Sequence, residues 1–131
     1  LARSLEIHES DFKAYGSDID RNALEIARQN AMRAGVSDYI ELRRADLKDF
    51  KPVTERGTVI CNPPYGERML SQGQVSEIIK TMGKVFPKKH GFSYSIISPS
   101  EDFEDLFARK ADKRRKLYNG MIKCQMYMYF K

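Results

Sequence analysis

The most constraining feature of the chain is an abrupt stop placed after a strand. Thr58 to Cys61 is a short apolar run with β-branched members, and it halts at Asn62-Pro63-Pro64-Tyr65. Neither proline can donate to a β-ladder, so the run reads as a strand feeding a rigid loop. On either side, similar short runs alternate with stretches of helical period, the signature of an α/β domain built on a mostly parallel sheet. In such sheets ligands collect beyond the carboxyl ends of the strands, and the tetrapeptide sits directly at one of those ends.

The remaining elements follow from periodicity and punctuation. Residues 1–10 have weak helical character, and Phe12 to Ser17 reads as a strand ending at Asp18. Asp20 caps a helix through Ala34, in which Ala23, Leu24, Ala27, Ala31 and Ala34 recur at three- and four-residue steps before Gly35 stops it. Tyr39 to Leu42 alternates like a strand, and the loop after it carries Asp46. Val75 to Phe86 puts Val75, Ile78, Ile79, Met82 and Phe86 on one helical face, and Pro87 bars continuation. Phe92 to Ile97 is a further strand and Glu101 to Arg109 a short helix. Lys116 to Tyr118 and Met121 to Phe130 flank Asn119-Gly120, the strongest short-range hairpin signal.

Composition narrows the class. With 131 residues the chain has room for one ordinary domain, and 41% hydrophobic against 31% charged residues describes a globular protein. It has no run of the ~18 apolar residues that a membrane span needs and no signal segment, so a cytoplasmic protein is expected. Its two cysteines, Cys61 and Cys124, lie far apart in no metal-type spacing, which predicts reduced thiols and no metal site. The net charge of +5 is unevenly spread: residues 1–79 carry −2 and residues 80–131 carry +7. That basic excess in the C-terminal part is a nucleic-acid signal.

The chemistry available to Asn-Pro-Pro-Tyr is specific. An exocyclic amino group on a nucleobase is a poor nucleophile, because its lone pair is delocalised into the ring. Two acceptors aimed at its hydrogens assist the move to tetrahedral geometry, and the side-chain oxygen of Asn62 with the backbone carbonyl of Pro63 forms such a pair. Tyr65 offers a face on which the base can stack, worth about 1–3 kcal/mol. The base must be unpaired or flipped out, since its amino group is otherwise engaged. The bland alternative is a rigid turn with a surface tyrosine.

Asn62 to Tyr65 resembles the [D/N/S]-P-P-[Y/F/W] motif of class I S-adenosylmethionine-dependent amino-methyltransferases. Asn62 to Arg68, together with Gly16-Ser17-Asp18-Ile19-Asp20, Ala27-Arg28-Gln29-Asn30-Ala31 and the closing Arg114 to Gly120 segment, is similar to the RlmL/YpsC-type 23S rRNA guanine-N2 methyltransferase group, which also carries a THUMP domain. The resemblance implies a Rossmann-like class I methyltransferase sheet of order 3-2-1-4-5-7-6 ending in an antiparallel hairpin. It also implies catalytic roles for Asn62, Pro63, Pro64 and Tyr65. Asp18 would accept from the ribose hydroxyls of S-adenosylmethionine, Ile19 would pack on its adenine, and Asp46 would accept from the adenine amino group, with Leu47 and Asn62 adding contacts. Asp20 reads as the helix cap rather than a ligand.

The chain departs from the family in one respect. Class I methyltransferases open with a strand and an Asp-x-x-x-Gly-x-Gly loop, and none of the eight glycines here lies close enough to another to form one. The expectation is therefore a single methyltransferase domain over residues 1–131 that lacks its first, central strand, with the missing N-terminal part and any THUMP domain outside this chain. Removal of that strand leaves its two neighbours either with open edges or paired to each other.

Residues 109–116 place six cations in eight positions. Phosphate contact from Lys113, Arg114 and Arg115 is the functional reading, and a solvated charged face is the alternative. Arg68, three residues past Tyr65, is positioned to approach the phosphate of the target nucleotide. His8 and His90 belong to no catalytic constellation, Cys61 reads as a strand thiol packed into the core, and residues 126–130 read as two faces of a buried strand. Adenine-N6 methylation of DNA uses the same tetrapeptide, and an inactive RNA-binding fragment would retain the basic part without catalysis.

Overall fold

A computed structural model describes residues 12–63 and 71–130. The weak helix expected over residues 1–10 lies outside them. The fold divides at Asp46 and Leu47 into two compact units.

The first unit holds β1 (Ala14–Asp18), α1 (Arg21–Arg33), a 3-10 turn (Ser37–Tyr39) and β2 (Ile40–Arg44). Helix α1 starts where the Asp20 carboxylate accepts from the backbone N–H of Asn22, and it stops ahead of Gly35, whose φ of 73° is left-handed. Its stripe buries Leu24 and Ala31. The two strands are parallel, with Ala14 opposite Ile40 and Asp18 opposite Arg44. Gly16 permits a close approach, since a Cβ there would lie 2.9 Å from Leu42 Cδ2. Strand β1 begins two residues later than the apolar pattern suggests, and Phe12 stays exposed.

The second unit holds a 3-10 turn (Leu47–Asp49), β3 (Gly57–Cys61), α2 (Gln72–Val85), β4 (Phe92–Ser98), α3 (Phe103–Phe107), β5 (Lys113–Asn119) and β6 (Ile122–Tyr129). Its sheet has the order β3-β4-β6-β5, with β3 parallel to β4 and the rest antiparallel. The first unit contributes the separate pair β1-β2. Taken each by itself, the first sheet matches the 3-2 segment of the family order and the second matches the 4-5-7-6 segment. Among the described residues, β1 is at one end of the two-stranded sheet and β3 at one end of the four-stranded sheet.

Three further elements differ at their boundaries from the sequence expectation for physical reasons. Helix α2 starts three residues early because Ser71 and Gln74 form a reciprocal capping box: Ser71 Oγ accepts from the Gln74 N–H at 3.1 Å, and Gln74 Oε1 accepts from the Ser71 N–H at 2.8 Å. Helix α3 is shorter at both ends, and Ala108 closes it in the left-handed region at φ 64°. Strand β5 starts three residues early because β6 offers ladder partners, Met128, Tyr127 and Met126, to Lys113, Arg114 and Arg115. Tertiary pairing overrides the weak strand preference of a basic run there.

One face of the larger sheet forms the core. Phe92, Tyr94, Ile96 and Ser98 of β4 are buried, as are Tyr127 and Tyr129 of β6, against Ile79 and Met82 of α2, the adjoining Phe86, and Phe103 and Phe107 of α3. The two helices pack closely because Gly83 has no Cβ to strike the Phe107 backbone. Buried tyrosine hydroxyls are satisfied locally: Tyr127 donates to the Ser100 carbonyl at 3.1 Å, Tyr129 to that of Arg109 at 2.9 Å, and Tyr94 to that of Pro87. Residues 126–130 are thus a core strand up to Tyr129, with only Phe130 left half exposed.

Candidate active site

The carboxyl ends of the parallel strands carry the candidate residues, each unit by itself. In the first unit, Asp18 is the last residue of β1, Ile19 follows it, and Asp46 lies two residues past the end of β2. Adjacent parallel strands therefore bring these three to one edge. Asp18 Oδ1 accepts from the Asp20 N–H at 2.9 Å. This fixes the carboxylate at the strand end while its second oxygen remains on an exposed side chain. Arg44 Nε donates to the Ile19 carbonyl at 3.0 Å and the Ala45 N–H to that of Asp18 at 3.1 Å, so the turn after β1 is held from β2. Ile19 presents its side chain to solvent at 58% exposure, available as an apolar face. Asp20 is the helix cap. The role of Arg44 in shaping this turn leaves no trace in the sequence, because it depends on the register that sets Arg44 opposite Asp18.

In the second unit, Asn62 and Pro63 follow β3 directly. Asn62 is exposed and Pro63 buried, so the proline is packed where the loop leaves the strand. Pro64, Tyr65 and Arg68 lie outside the described residues. Cys61, the last residue of β3, faces the core with its Sγ 3.8 Å from Met82 Sδ. Burial pushes its thiol up to about 11, so it is a packed thiol and not a nucleophile. Leu47 also turns inward and packs against the core. Any contact it makes with a ligand would therefore come from its backbone.

The basic segment does not form one continuous patch. Strand alternation puts Lys113 and Arg115 on one face of β5 and Arg114 and Lys116 on the other. Arg114 lies 3.5 Å from Glu104 Oε1, so part of its charge is answered within the chain. Among the described residues there is no group of three or more His, Cys, Asp or Glu placed to hold a metal, and no helix long and apolar enough to cross a membrane.

The fold and the residues at its strand ends define a Rossmann-like class I methyltransferase domain. The family described as UPF0020, RMKL-like, methyltransferase domain, matches residues 2–128, and the chain belongs to it. It is similar to the Bacillus subtilis (strain 168) protein YpsC, named as an RNA methyltransferase, with 37% identity over 94% of this chain and 32% of that protein. It is 34% identical to the ribosomal RNA large subunit methyltransferase K/L of Shewanella baltica (strain OS185), over 96% of this chain and 18% of that one. Among solved structures, SMU.472, described as a methyltransferase complexed with SAH, superposes with a TM-score of 0.91 at 39% identity, over 98% of this chain and 34% of that one. A Listeria monocytogenes str. 4b F2365 protein described as an N6-adenine-specific DNA methylase gives 0.76 at 38% identity, over 88% and 30%. The chain thus spans about a third or less of the length of these relatives.

Proposed function

We propose that this chain is the catalytic part of a cytoplasmic enzyme that transfers a methyl group from S-adenosylmethionine to guanine N2 of 23S rRNA, with the first strand and a THUMP domain supplied by protein outside residues 1–131. The observation that carries the reading is Asn62 exposed and Pro63 buried at the carboxyl end of a parallel strand, in a chain of the RMKL-like family. S-adenosylmethionine supplies an electrophilic methyl group on a sulfonium. The Asp18 carboxylate suits ribose hydroxyls, which are donors, and Asp46 suits an adenine amino group for the same reason. Asn62 Oδ1 and the Pro63 carbonyl draw the hydrogens of the base amine and raise the density on its nitrogen, and Tyr65 stacks the base. Attack of the amine nitrogen on that methyl would break the sulfonium's S–CH3 bond, with its electron pair returning to sulfur to leave the thioether, and the amine would lose one proton to solvent.

The test uses the intact protein with radiolabelled S-adenosylmethionine, offered unmodified 23S rRNA and duplex DNA in parallel, followed by nucleoside digestion. Label in N2-methylguanosine from the rRNA is expected. Label in N6-methyladenine from the DNA would replace the reading with the adenine alternative, and no label with retained RNA binding would make the chain an inactive RNA-binding module.

Lys113, Arg114 and Arg115 are assigned to phosphate contact along β5. Substituting all three by Ala is expected to reduce the slope of log affinity against log salt by about 1.4–2 for single-stranded RNA. Arg114→Ala alone should contribute least because Glu104 already shares that guanidinium. An unchanged slope in the triple variant removes the assignment.

A further inference from the structure

The β5–β6 hairpin has a composition that the catalytic reading does not use. From Lys113 to the C-terminus there are six Lys or Arg and no Asp or Glu. Strand β5 is the outer edge of the larger sheet, and the tyrosines of the hairpin divide sharply. Tyr127 and Tyr129 are buried, whereas Tyr118, next to the turn, is 67% exposed. Tyr118 pairs across the ladder with Lys123, and Lys116 stands two residues before it on the same strand. Opposed and alternate residues share a sheet face, so Lys116, Tyr118 and Lys123 lie on one side, with about 5 Å between the opposed Cβ atoms. Both lysines are exposed, and Met121 at the turn is fully exposed.

An open aromatic ring flanked by two cations matches a particular ligand. Single-stranded nucleic acid is held by cations that follow its backbone and aromatic rings that take its bases, without regard to sequence. An acidic peptide would use the lysines but gain little from the ring. We propose that Tyr118, with Lys116 and Lys123, is a base-stacking platform for single-stranded RNA, separate from the Asn62 loop and on the face of β5 that also carries Arg114. It rests on the reading of the protein as an RNA-modifying enzyme and gives that enzyme a second hold on its substrate, next to the hairpin turn.

The chain contains no tryptophan, so Tyr118→Trp introduces a single fluorophore at the platform. The variant chain is titrated with a fluorescein-free oligoadenylate 12-mer and, separately, with inorganic polyphosphate. Quenching of the tryptophan by the RNA and not by polyphosphate is expected. In parallel, Tyr118→Ala should weaken oligoadenylate binding at least about fivefold while Tyr118→Phe retains it. RNA binding without quenching, equal quenching by polyphosphate, or unchanged affinity in Tyr118→Ala would overturn the platform while leaving the RNA reading intact. Failure of the unsubstituted chain to bind oligoadenylate at all would overturn both, and circular dichroism of each variant identifies any loss due to misfolding.

Discussion

Asn62→Ala is expected to lower methyl transfer in the intact protein by about 10²–10³-fold or more, the scale seen when one preorganised polar group at a reacting centre is removed. S-adenosylmethionine affinity should fall far less than turnover, because the acidic groups assigned to ribose and adenine are untouched and Asn62 adds only one further contact. The physical reason is the amine. It becomes nucleophilic only as its lone pair leaves the ring, and the Asn62 oxygen is one of two acceptors assigned to that step. Asn62→Asp separates this role from a structural one: it keeps an acceptor oxygen, and the resembling motif tolerates Asp at that position. Partial activity in Asn62→Asp beside near-complete loss in Asn62→Ala supports the acceptor role. Normal turnover in Asn62→Ala sinks it. Single-turnover kinetics with saturating cofactor is the measurement, and unfolding in urea shows how much of the variant is folded under the assay conditions.

What could be read from the sequence depended on how local the cause was. Helix α1 was legible because its cap, stripe and stop are all within fifteen residues of one another, and the structure shows Asp20 and Gly35 doing those jobs. The hairpin was legible from Asn119-Gly120 for the same reason, with Gly120 at φ 66°. The extent of β5 was not, because Lys113 to Arg115 become strand only through partners on β6 that no propensity of their own announces. The same pairing carries functional weight, since a basic run read as one patch is divided between two faces. At the candidate site, Asp18, Asp46 and Asn62 could be placed at strand ends from pattern alone. The hold of Arg44 on the Ile19 carbonyl could not, because it bridges 25 residues across a register.

Phe86→Ala is expected to cost about 3–5 kcal/mol of stability, the usual range for a buried Phe truncated to Ala. Phe86 is 3% exposed and sits at the junction where α2 ends, its N–H donating to the Met82 carbonyl at 3.0 Å before Pro87 turns the chain. Its ring stacks on Tyr94 at 5.1 Å with only 3° between planes, and meets Phe50 at 5.2 Å and Phe107 at 6.3 Å edge-on. One side chain thus ties β4, α3 and the turn after Leu47 into the core that carries β3. A domain stable by only about 5–15 kcal/mol loses a large fraction of that margin. With a slope of about 1–3 kcal/mol per molar urea, the midpoint should fall by 1 M or more. Phe86→Leu, which refills most of the volume, should fall much less. A shift in Phe86→Ala too small to measure, at constant slope, would mean the ring is not packed as described. The two substitutions then dissociate in opposite senses: Asn62→Ala removes turnover from protein that remains folded, whereas Phe86→Ala loses activity only in step with its unfolded fraction. That contrast separates a residue that acts on the base from one that holds the sheet beneath it.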